Sequence, residues 1–239
     1  MLKNLRKIYS PNFDVKKRKK NNIRFIILHY TGMKSEKNAL YRLTSLNSKV
    51  SCHYLINYSG EIINLVPDLY ISWHAGKSKW KKKKFLNLNS IGIEISNPGH
   101  LNNYKDFSTK QINSLLLLVS FLKKKYKIKK NNILGHSDIA PDRKKDPGEK
   151  FPWKLMYKKK LSIWHNIKET ALKRLRNIKC SKKEELKFYN NLKKIGYVAK
   201  SKICMIKAFQ RRFRQKIVSG KIDKECLFIS ISLLKQNKY

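Results

Sequence analysis

The chain contains the run IRFIILHYTG at residues 23–32. Its first half is almost continuously apolar, which is typical of a strand buried on both faces of a sheet. The run turns polar at His29, so this side chain is expected at the end of the strand. A second short apolar run, NILGH at residues 132–136, predicts another strand that also ends in a histidine, His136.

A third strand is predicted at residues 91–95, where the sequence IGIEI alternates strictly. Successive side chains of a strand point to opposite faces, so the three isoleucines share one face while Gly92 and Glu94 share the other. Because only a glycine lies beside Glu94 on that face, its carboxylate is expected to be accessible. Residues 50–57 and 62–66 are predicted to form a hairpin.

Helical periodicity alternates with these strands. Residues 38–46 carry leucines at helical spacing, and Ser108 with Gln111 fits a capping box at the start of a second amphipathic helix. Strands that alternate with helices predict an α/β fold over residues 23–156, with a mixed central sheet flanked by helices.

The rest of the chain divides into three predicted segments. Residues 1–22 are basic and have no period, so we predict a loose N-terminal arm. Residues 157–180 are predicted to be a connector. Residues 181–239 are predicted to form a small domain of three helices, the first of which begins at a second capping box and ends at Gly196.

The composition narrows the class of protein. The formal net charge of the 239 residues is +41, yet 41% of them are hydrophobic, which is too apolar for a disordered basic tail. The basic runs are scattered along the chain and contain far more Lys than Arg. Specific recognition of phosphate or guanine favours Arg, because its planar guanidinium can donate two hydrogen bonds at once. We therefore expect weak, salt-sensitive adhesion to polyanions and no specific nucleic-acid partner.

No stretch approaches the roughly 20 apolar residues that a transmembrane helix needs. The N-terminus is basic but has no apolar segment after it, so no signal peptide is visible. These features predict a cytoplasmic protein, with a periplasmic or envelope-associated one as the alternative. The four cysteines lie far apart and are expected to be buried without forming a disulfide framework.

Three side chains suggest a metal site. Two imidazoles and one carboxylate would come from His29, His136 and Asp146. This is the ligand set of a catalytic zinc site when one coordination position of the metal stays open. Glu94 would then accept a proton from water, and Lys144 would stabilise a developing oxyanion. Considered singly, a histidine is more often a packed or surface residue, so spacing alone leaves that alternative open.

Several separated motifs occur in an order that resembles a known family. They are FIILHYTG at 25–32, SCHYLI at 51–56, WHAG at 73–76, IGIEISNPG at 91–99, GHSDIAP at 135–141, DPG at 146–148 and FPW at 151–153. Together they closely resemble the zinc-dependent N-acetylmuramoyl-L-alanine amidases of the type 2 family, over residues 23–156. The tail resembles a peptidoglycan-binding three-helix module, with a structural helical extension as the alternative. The tail motifs are LKKIGY at 192–197, AFQRRFR at 208–214 and GKID at 220–223.

The resemblance implies hydrolysis of the amide between the lactyl group of N-acetylmuramic acid and L-alanine, in peptidoglycan or in (anhydro-)muropeptides. It implies that His29, His136 and Asp146 bind Zn²⁺. It also implies that Glu94 is the catalytic acid/base and that Lys144 is the cation two residues before the ligand Asp146.

Four further residues of the motifs are predicted to contact the substrate: His74, Asn97, Arg143 and Tyr30. The alternatives are a structural role for His74, a turn role for Asn97 and a solvated charge for Arg143. Two other functions are weighed against the amidase. One is a non-catalytic muropeptide-recognition protein on the same fold, and the other is a basic nucleic-acid-binding protein.

Overall fold

The computed structural model of the chain describes residues 5–236. Its strands are β1 (Arg6–Lys7), β2 (Phe13–Asp14), β3 (Phe25–Tyr30), β4 (Tyr54–Ile56), β5 (Ile62–Asn64), β6 (Ile71–Ser72), β7 (Lys79–Trp80), β8 (Lys83–Lys84), β9 (Ser90–Ile95) and β10 (Ile133–Gly135). Its α-helices are α1 (Glu36–Thr44), α2 (Thr109–Lys125), α3 (His136–Ile139), α4 (Trp153–Lys158), α5 (Glu169–Leu175), α6 (Lys182–Ile195), α7 (Lys202–Phe213) and α8 (Lys224–Gln236).

The main sheet is mixed, as the sequence predicts. Its six strands lie in the order β1-β5-β4-β9-β3-β10. Strand β3 is parallel to both β9 and β10, while β4 and β5 form the predicted antiparallel hairpin. The register pairs His29 of β3 with Glu94 of β9. Partners in adjacent strands project to the same face, so these two side chains emerge together at one end of the sheet.

Both faces of the central strands are covered. The apolar side chains of β3 and the isoleucines of β9 are buried in one hydrophobic core. Helix α2 packs against this core through Leu115, Leu118 and Leu122, and its N-terminus has the predicted capping box of Ser108 and Gln111. A sheet held this rigidly fixes the positions of the polar side chains at its ends.

The N-terminal residues 5–22 do not form the loose arm that the sequence predicts. Strand β1 pairs with β5 through its backbone, and Ser10, Asn12 and Arg18 are buried. The guanidinium of Arg18 donates two hydrogen bonds to the carbonyl of Asp68 at 3.2 and 2.9 Å. Backbone and polar groups make these contacts, and such contacts produce no hydrophobic periodicity in the sequence. Residues 1–4 of the predicted arm lie outside the described residues.

The C-terminal part contains the three predicted helices, α6, α7 and α8. Helix α6 begins at its capping box and ends at Gly196, which has a φ of 139°. The segment predicted as a connector contributes Trp164 and Leu172 to the same hydrophobic core as the sheet and these helices. The division into domains at 23–156, 157–180 and 181–239 stays a prediction, and its last residues, 237–239, lie outside the described part.

Among the helices of the described residues 5–236, none combines the length and the apolar character needed to cross a membrane.

Candidate metal centre

Three predicted ligands lie together at the carboxyl ends of β3 and β10. His29 is near the end of β3, His136 is the first residue of α3, and Asp146 lies in the loop between α3 and α4. The Nδ1 atoms of the two histidines are 2.9 Å apart, and Asp146 Oδ2 lies 3.0 Å from one and 3.1 Å from the other. All three side chains are buried and could hold one metal ion.

The hydrogen bond of His136 fixes which of its nitrogens is free. Its Nε2 lies 3.1 Å from the carbonyl oxygen of Ala75, which can only accept a hydrogen bond. Nε2 therefore carries the proton, and Nδ1 presents a lone pair toward His29 and Asp146. An imidazole held in this way by a backbone carbonyl is the usual arrangement for a histidine that binds metal.

A chain of hydrogen bonds fixes the free nitrogen of His29. Ser90 Oγ donates to the carbonyl of Leu86 at 2.6 Å, so the same oxygen accepts from His74 Nε2 at 3.1 Å. His74 Nδ1 is then an acceptor, and His29 Nε2 donates to it at 3.0 Å. This leaves His29 Nδ1 without a proton. A Cβ atom at Gly92 would collide with the His74 ring, so glycine is required beneath it.

The ionisation states also suit a metal. Burial is the largest of the effects that lower the pKa of His29 to about 4, so its ring is neutral. Burial alone would raise the pKa of Asp146, but the close approach of the His136 and His29 imidazoles outweighs it and holds this pKa well below its ordinary value, so the carboxylate is ionised. Neutral imidazole and ionised carboxylate are the forms in which these side chains bind metal.

The donor set fits a small divalent cation. Two imidazole nitrogens and one carboxylate oxygen point their lone pairs at a common centre, where they repel one another unless a cation separates them. In a tetrahedral site with bonds of about 2.0–2.1 Å, such donors would lie roughly 3.3 Å apart. The donor separations in the structure, 2.9 to 3.1 Å, are close to that value.

Glu94 lies beside these donors with one oxygen unused. It is the register partner of His29, and its Oε2 is buried and has no hydrogen-bond partner within residues 5–236. Burial, followed by the charge of Asp146, raises the pKa of Glu94 well above its ordinary value, although Lys144 opposes the shift. A carboxylate of raised pKa is suited to accept a proton and return it.

The centre opens into a cleft of about 480 Å³. Its lining includes Glu94 and the proposed ligands His136 and Asp146. It also includes four other residues that are predicted to act on or contact the substrate: Tyr30, His74, Arg143 and Lys144. Lysine and arginine side chains on the wall would attract the carboxylates of an acidic ligand.

Several predicted substrate contacts already have protein partners. Arg143 Nη2 donates to the carbonyls of Ala75 and Lys77 at 2.6 and 2.7 Å, and Asn97 Nδ2 donates to that of Lys105 at 2.8 Å. Asn97 is also buried, and its amide oxygen accepts from Gly99 N. Their roles in substrate binding stay predictions.

Sequence reasoning missed two residues of this region. Ser90 received no role, yet it ends the hydrogen-bond chain that orients His29. His100 also lines the cleft, between Tyr30 at 2.8 Å and Glu149 at 3.0 Å. One signal in the sequence pointed to this chain of hydrogen bonds. A glycine inside an apolar strand, here Gly92, often marks a close approach by another group. No comparable signal marks His100.

The family model described as N-acetylmuramoyl-L-alanine amidase (Amidase_2) matches residues 19–149. The N-acetylmuramoyl-L-alanine amidase AmiD of Escherichia coli (strain K12) is 31% identical over 232 residues, which are 90% of this chain and 83% of that protein. The 1,6-anhydro-N-acetylmuramyl-L-alanine amidase AmpD of Haemophilus influenzae is 33% identical over 171 residues, or 64% of this chain and 90% of that protein.

Solved structures agree with these sequence matches. Escherichia coli AmiD in complex with the substrate anhydro-N-acetylmuramic acid-L-Ala-D-γ-Glu-L-Lys has a TM-score of 0.80 and 29% identity, and the match covers 93% of this chain and 91% of that one. AmpDh3 of Pseudomonas aeruginosa in complex with anhydromuramic pentapeptide has a TM-score of 0.79 and 28% identity, with 99% of each chain covered. The matches therefore extend over the C-terminal helices as well as the sheet.

Proposed function

The chain belongs to the N-acetylmuramoyl-L-alanine amidase family, and from this membership we propose a zinc-dependent mechanism that uses the residues of the candidate metal centre. The enzyme hydrolyses the amide between the lactyl group of N-acetylmuramic acid and L-alanine. In our proposal His29, His136 and Asp146 bind one Zn²⁺ through Nδ1, Nδ1 and Oδ2. The observation that carries this proposal is the convergence of these three donor atoms beside an unpartnered carboxylate oxygen.

The chain's own residues handle the protons and the charge. When bound, zinc supplies a Lewis acid that polarises the scissile carbonyl and makes water more acidic. Glu94 Oε2 accepts the proton of the attacking water and returns it to the nitrogen of the leaving L-alanine. Lys144, on the wall of the cleft, stabilises the negative charge that develops on the carbonyl oxygen.

We propose that the substrate is a muropeptide whose stem peptide is not cross-linked. Four residues would contact this substrate directly or position the residues that contact it: Tyr30, His74, Arg143 and Asn97. Support comes from the solved relatives, whose bound ligands are anhydro-muropeptides. A non-catalytic recognition protein is a weaker alternative, because it would not need the complete donor set together with Glu94.

The test is hydrolysis of defined substrates followed by mass spectrometry. We expect free stem peptide and the matching muramic-acid fragment from anhydro-muropeptide, and intact sacculi assayed in parallel show whether the polymer is also cleaved. Chelation should abolish the reaction, and added zinc should restore it. His29→Ala should lose stoichiometric zinc, while His165→Gln, which alters a histidine outside the cleft, should keep it. Activity that survives chelation would contradict the proposal.

A further inference from the structure

The loop that carries two of the proposed ligands is attached to the C-terminal helices at several points. His136 and Asp146 both lie between the end of β10 and the start of α4. Side chains from α7 or its flanking residues contact this loop on either side of Asp146. The first contact is at Asp138, which belongs to the same short helix as His136.

Both carboxylate oxygens of Asp138 are bound by the C-terminal part of the chain. Oδ2 accepts from Arg212 Nη1 at 2.6 Å and from the backbone N of Gly135 at 2.8 Å. Oδ1 accepts from the hydroxyl of Tyr197 at 2.7 Å. Asp138 is only 1% exposed, so these partners take the place of water around the charge. The position of α3, and with it His136, therefore depends on Arg212 and Tyr197.

Arg212 is itself buried and held from three directions. It is 1% exposed, its guanidinium lies 4.3 Å from the centre of the Trp153 ring, and its Nη2 donates to the carbonyl of Ile133 in β10 at 3.0 Å. Removing one partner of a buried ion pair leaves an uncompensated charge, which is strongly unfavourable. Arg212 and Asp138 are consequently expected to stay together, with Arg212 spanning from β10 to α3.

The two ends of α7 hold the loop around Asp146. Just before the helix, the backbone N atoms of Lys200 and Ser201 both donate to the carboxylate of Asp142 at 2.9 Å. Just after it, Gln215 Nε2 donates at 2.6 Å to the carbonyls of Glu149 and Phe151. Asp146 lies between these attachment points, so the loop that presents its carboxylate is fixed on both sides.

We propose that the residues of α7 and its flanks that contact this loop form a positioning element of the metal centre, with Arg212 as its principal positioning residue. These residues are Tyr197, Lys200, Ser201, Arg212 and Gln215. They hold His136 and Asp146 at the spacing that one metal ion requires, although neither Arg212 nor Tyr197 is among the proposed ligands. This inference rests on the proposed zinc site. It gives the C-terminal helices a role in metal binding, whether or not they also bind glycan.

Two arginine substitutions separate this role from general stability. Arg212→Gln removes the buried cation that holds Asp138. The matched control is Arg214→Gln, two residues away, because Arg214 is also buried but pairs with Asp223 and Glu225 inside the C-terminal part. Both variants remove a guanidinium from a buried ion pair at the end of α7, and only the first alters a contact to the loop that carries the ligands.

Zinc affinity, measured by competition with a chelator, and the visible spectrum of the Co²⁺-substituted protein are the readouts. We expect Arg212→Gln to weaken zinc binding by about 10–100-fold, the range for residues that orient metal ligands, and to change the Co²⁺ spectrum. Arg212→Lys should recover part of the affinity. Arg214→Gln should lower the melting temperature and leave the affinity and the spectrum close to wild type.

Four outcomes would contradict the inference or its premise. Wild-type affinity in Arg212→Gln would overturn it, and so would an equal loss in Arg214→Gln, which would indicate a general effect of destabilisation. If Arg212→Gln does not fold, Tyr197→Phe takes its place and should shift zinc affinity in the same direction by less; no shift would overturn the inference. A wild-type protein that binds no stoichiometric zinc would instead refute the proposed function.

Discussion

Two largely buried clusters of charged side chains within residues 5–236 differ in their hydrogen bonding. In the C-terminal cluster, Arg176 donates to both oxygens of Glu225 at 2.8 and 2.7 Å. Arg214 donates to Glu225 at 2.8 Å and also to Asp223. Two guanidinium groups thus face two carboxylates, and donors match acceptors. We call these four residues the balanced cluster.

The metal centre lacks this balance. His29, His136 and Asp146 direct three acceptors at one point, and Glu94 adds a buried oxygen without a partner in the described part of the chain. A buried polar group without a partner costs free energy, so such a cluster persists when a ligand completes it. The comparison indicates that burial and charge alone do not identify a functional site. The surplus of acceptors over donors does.

The largest effect is expected at the unpartnered carboxylate. Glu94→Gln keeps the shape of the side chain but removes its ability to accept a proton, so kcat should fall by about 10²–10⁴-fold. Zinc stoichiometry should stay at the wild-type value because Glu94 is outside the proposed ligand set. Hydrolysis of anhydro-muropeptide and metal analysis measure the two quantities. Glu61→Gln, at a half-buried glutamate in the hairpin turn just before β5, should alter neither.

If Glu94→Gln retains wild-type kcat, Glu94 is not the acid/base, and its raised pKa is a consequence of burial and of the charge of Asp146 without a role in catalysis. If the variant loses zinc as well as activity, Glu94 belongs to the balance of charges that keeps the cation bound. Either result would change how the acceptor surplus at this site is understood.

A smaller effect is expected behind the ligands. His74→Phe keeps a ring in the space above Gly92 but removes the acceptor for His29 Nε2, so the His29 ring loses its fixed orientation and protonation. Zinc affinity should fall by about 10–100-fold, as measured by chelator competition. Ser90→Ala, which removes the partner of His74 Nε2, should shift the affinity in the same direction by less. Unchanged affinity in His74→Phe would show that His29 needs no such support.

Much of the sheet was predictable from local patterns. The buried strands β3 and β9 have an apolar run and a strict alternation, and α2 and α6 begin at capping boxes with clear sequence signatures. His29, His136 and Glu94 were identifiable because they follow or interrupt these patterns with polar residues. Asp146 lies in a loop, and its role as a ligand was suggested by the resemblance of the ordered motifs to the amidase family. Their convergence comes from the parallel pairing of β3 with β9 and β10, which brings strand ends together.

Contacts between distant polar groups were not predictable. Arg18 and Arg212 each occur in a basic run that resembles a solvated surface, yet both are buried against carbonyls or carboxylates far along the chain. Strand β1 pairs through its backbone and has only two residues. Hydrogen bonds of this kind leave no hydrophobic period, so the sequence suggested a loose arm and left open whether the tail braces the cleft.

The smallest effect on catalysis is expected from changes in the balanced cluster. This cluster should instead make the free energy of unfolding fall at acid pH. Burial alone would raise the pKa of Glu225, but hydrogen bonds from Arg176 and Arg214 outweigh it and hold this pKa below its ordinary value. A carboxylate whose pKa is lowered in the folded state adds stability above its unfolded pKa of about 4.3. That contribution is lost as the pH falls from there through the folded-state pKa.

Urea unfolding of the wild type and of Glu225→Gln, at several pH values from neutral to acid, measures this contribution. At neutral pH the variant should be less stable, because it leaves two arginines without their shared carboxylate. The difference should narrow as the pH falls, since protonation removes the same charge from the wild type. Glu185→Gln, which removes a carboxylate from the first turn of α6, is the matched control and should change the pH dependence of stability less. The wild type and both variants are assayed without metal, so that acid release of a bound ion does not contribute to the differences. A difference that stays constant with pH would show that Glu225 stabilises the fold through packing, and the balance of its charges would then not distinguish this cluster from the metal centre.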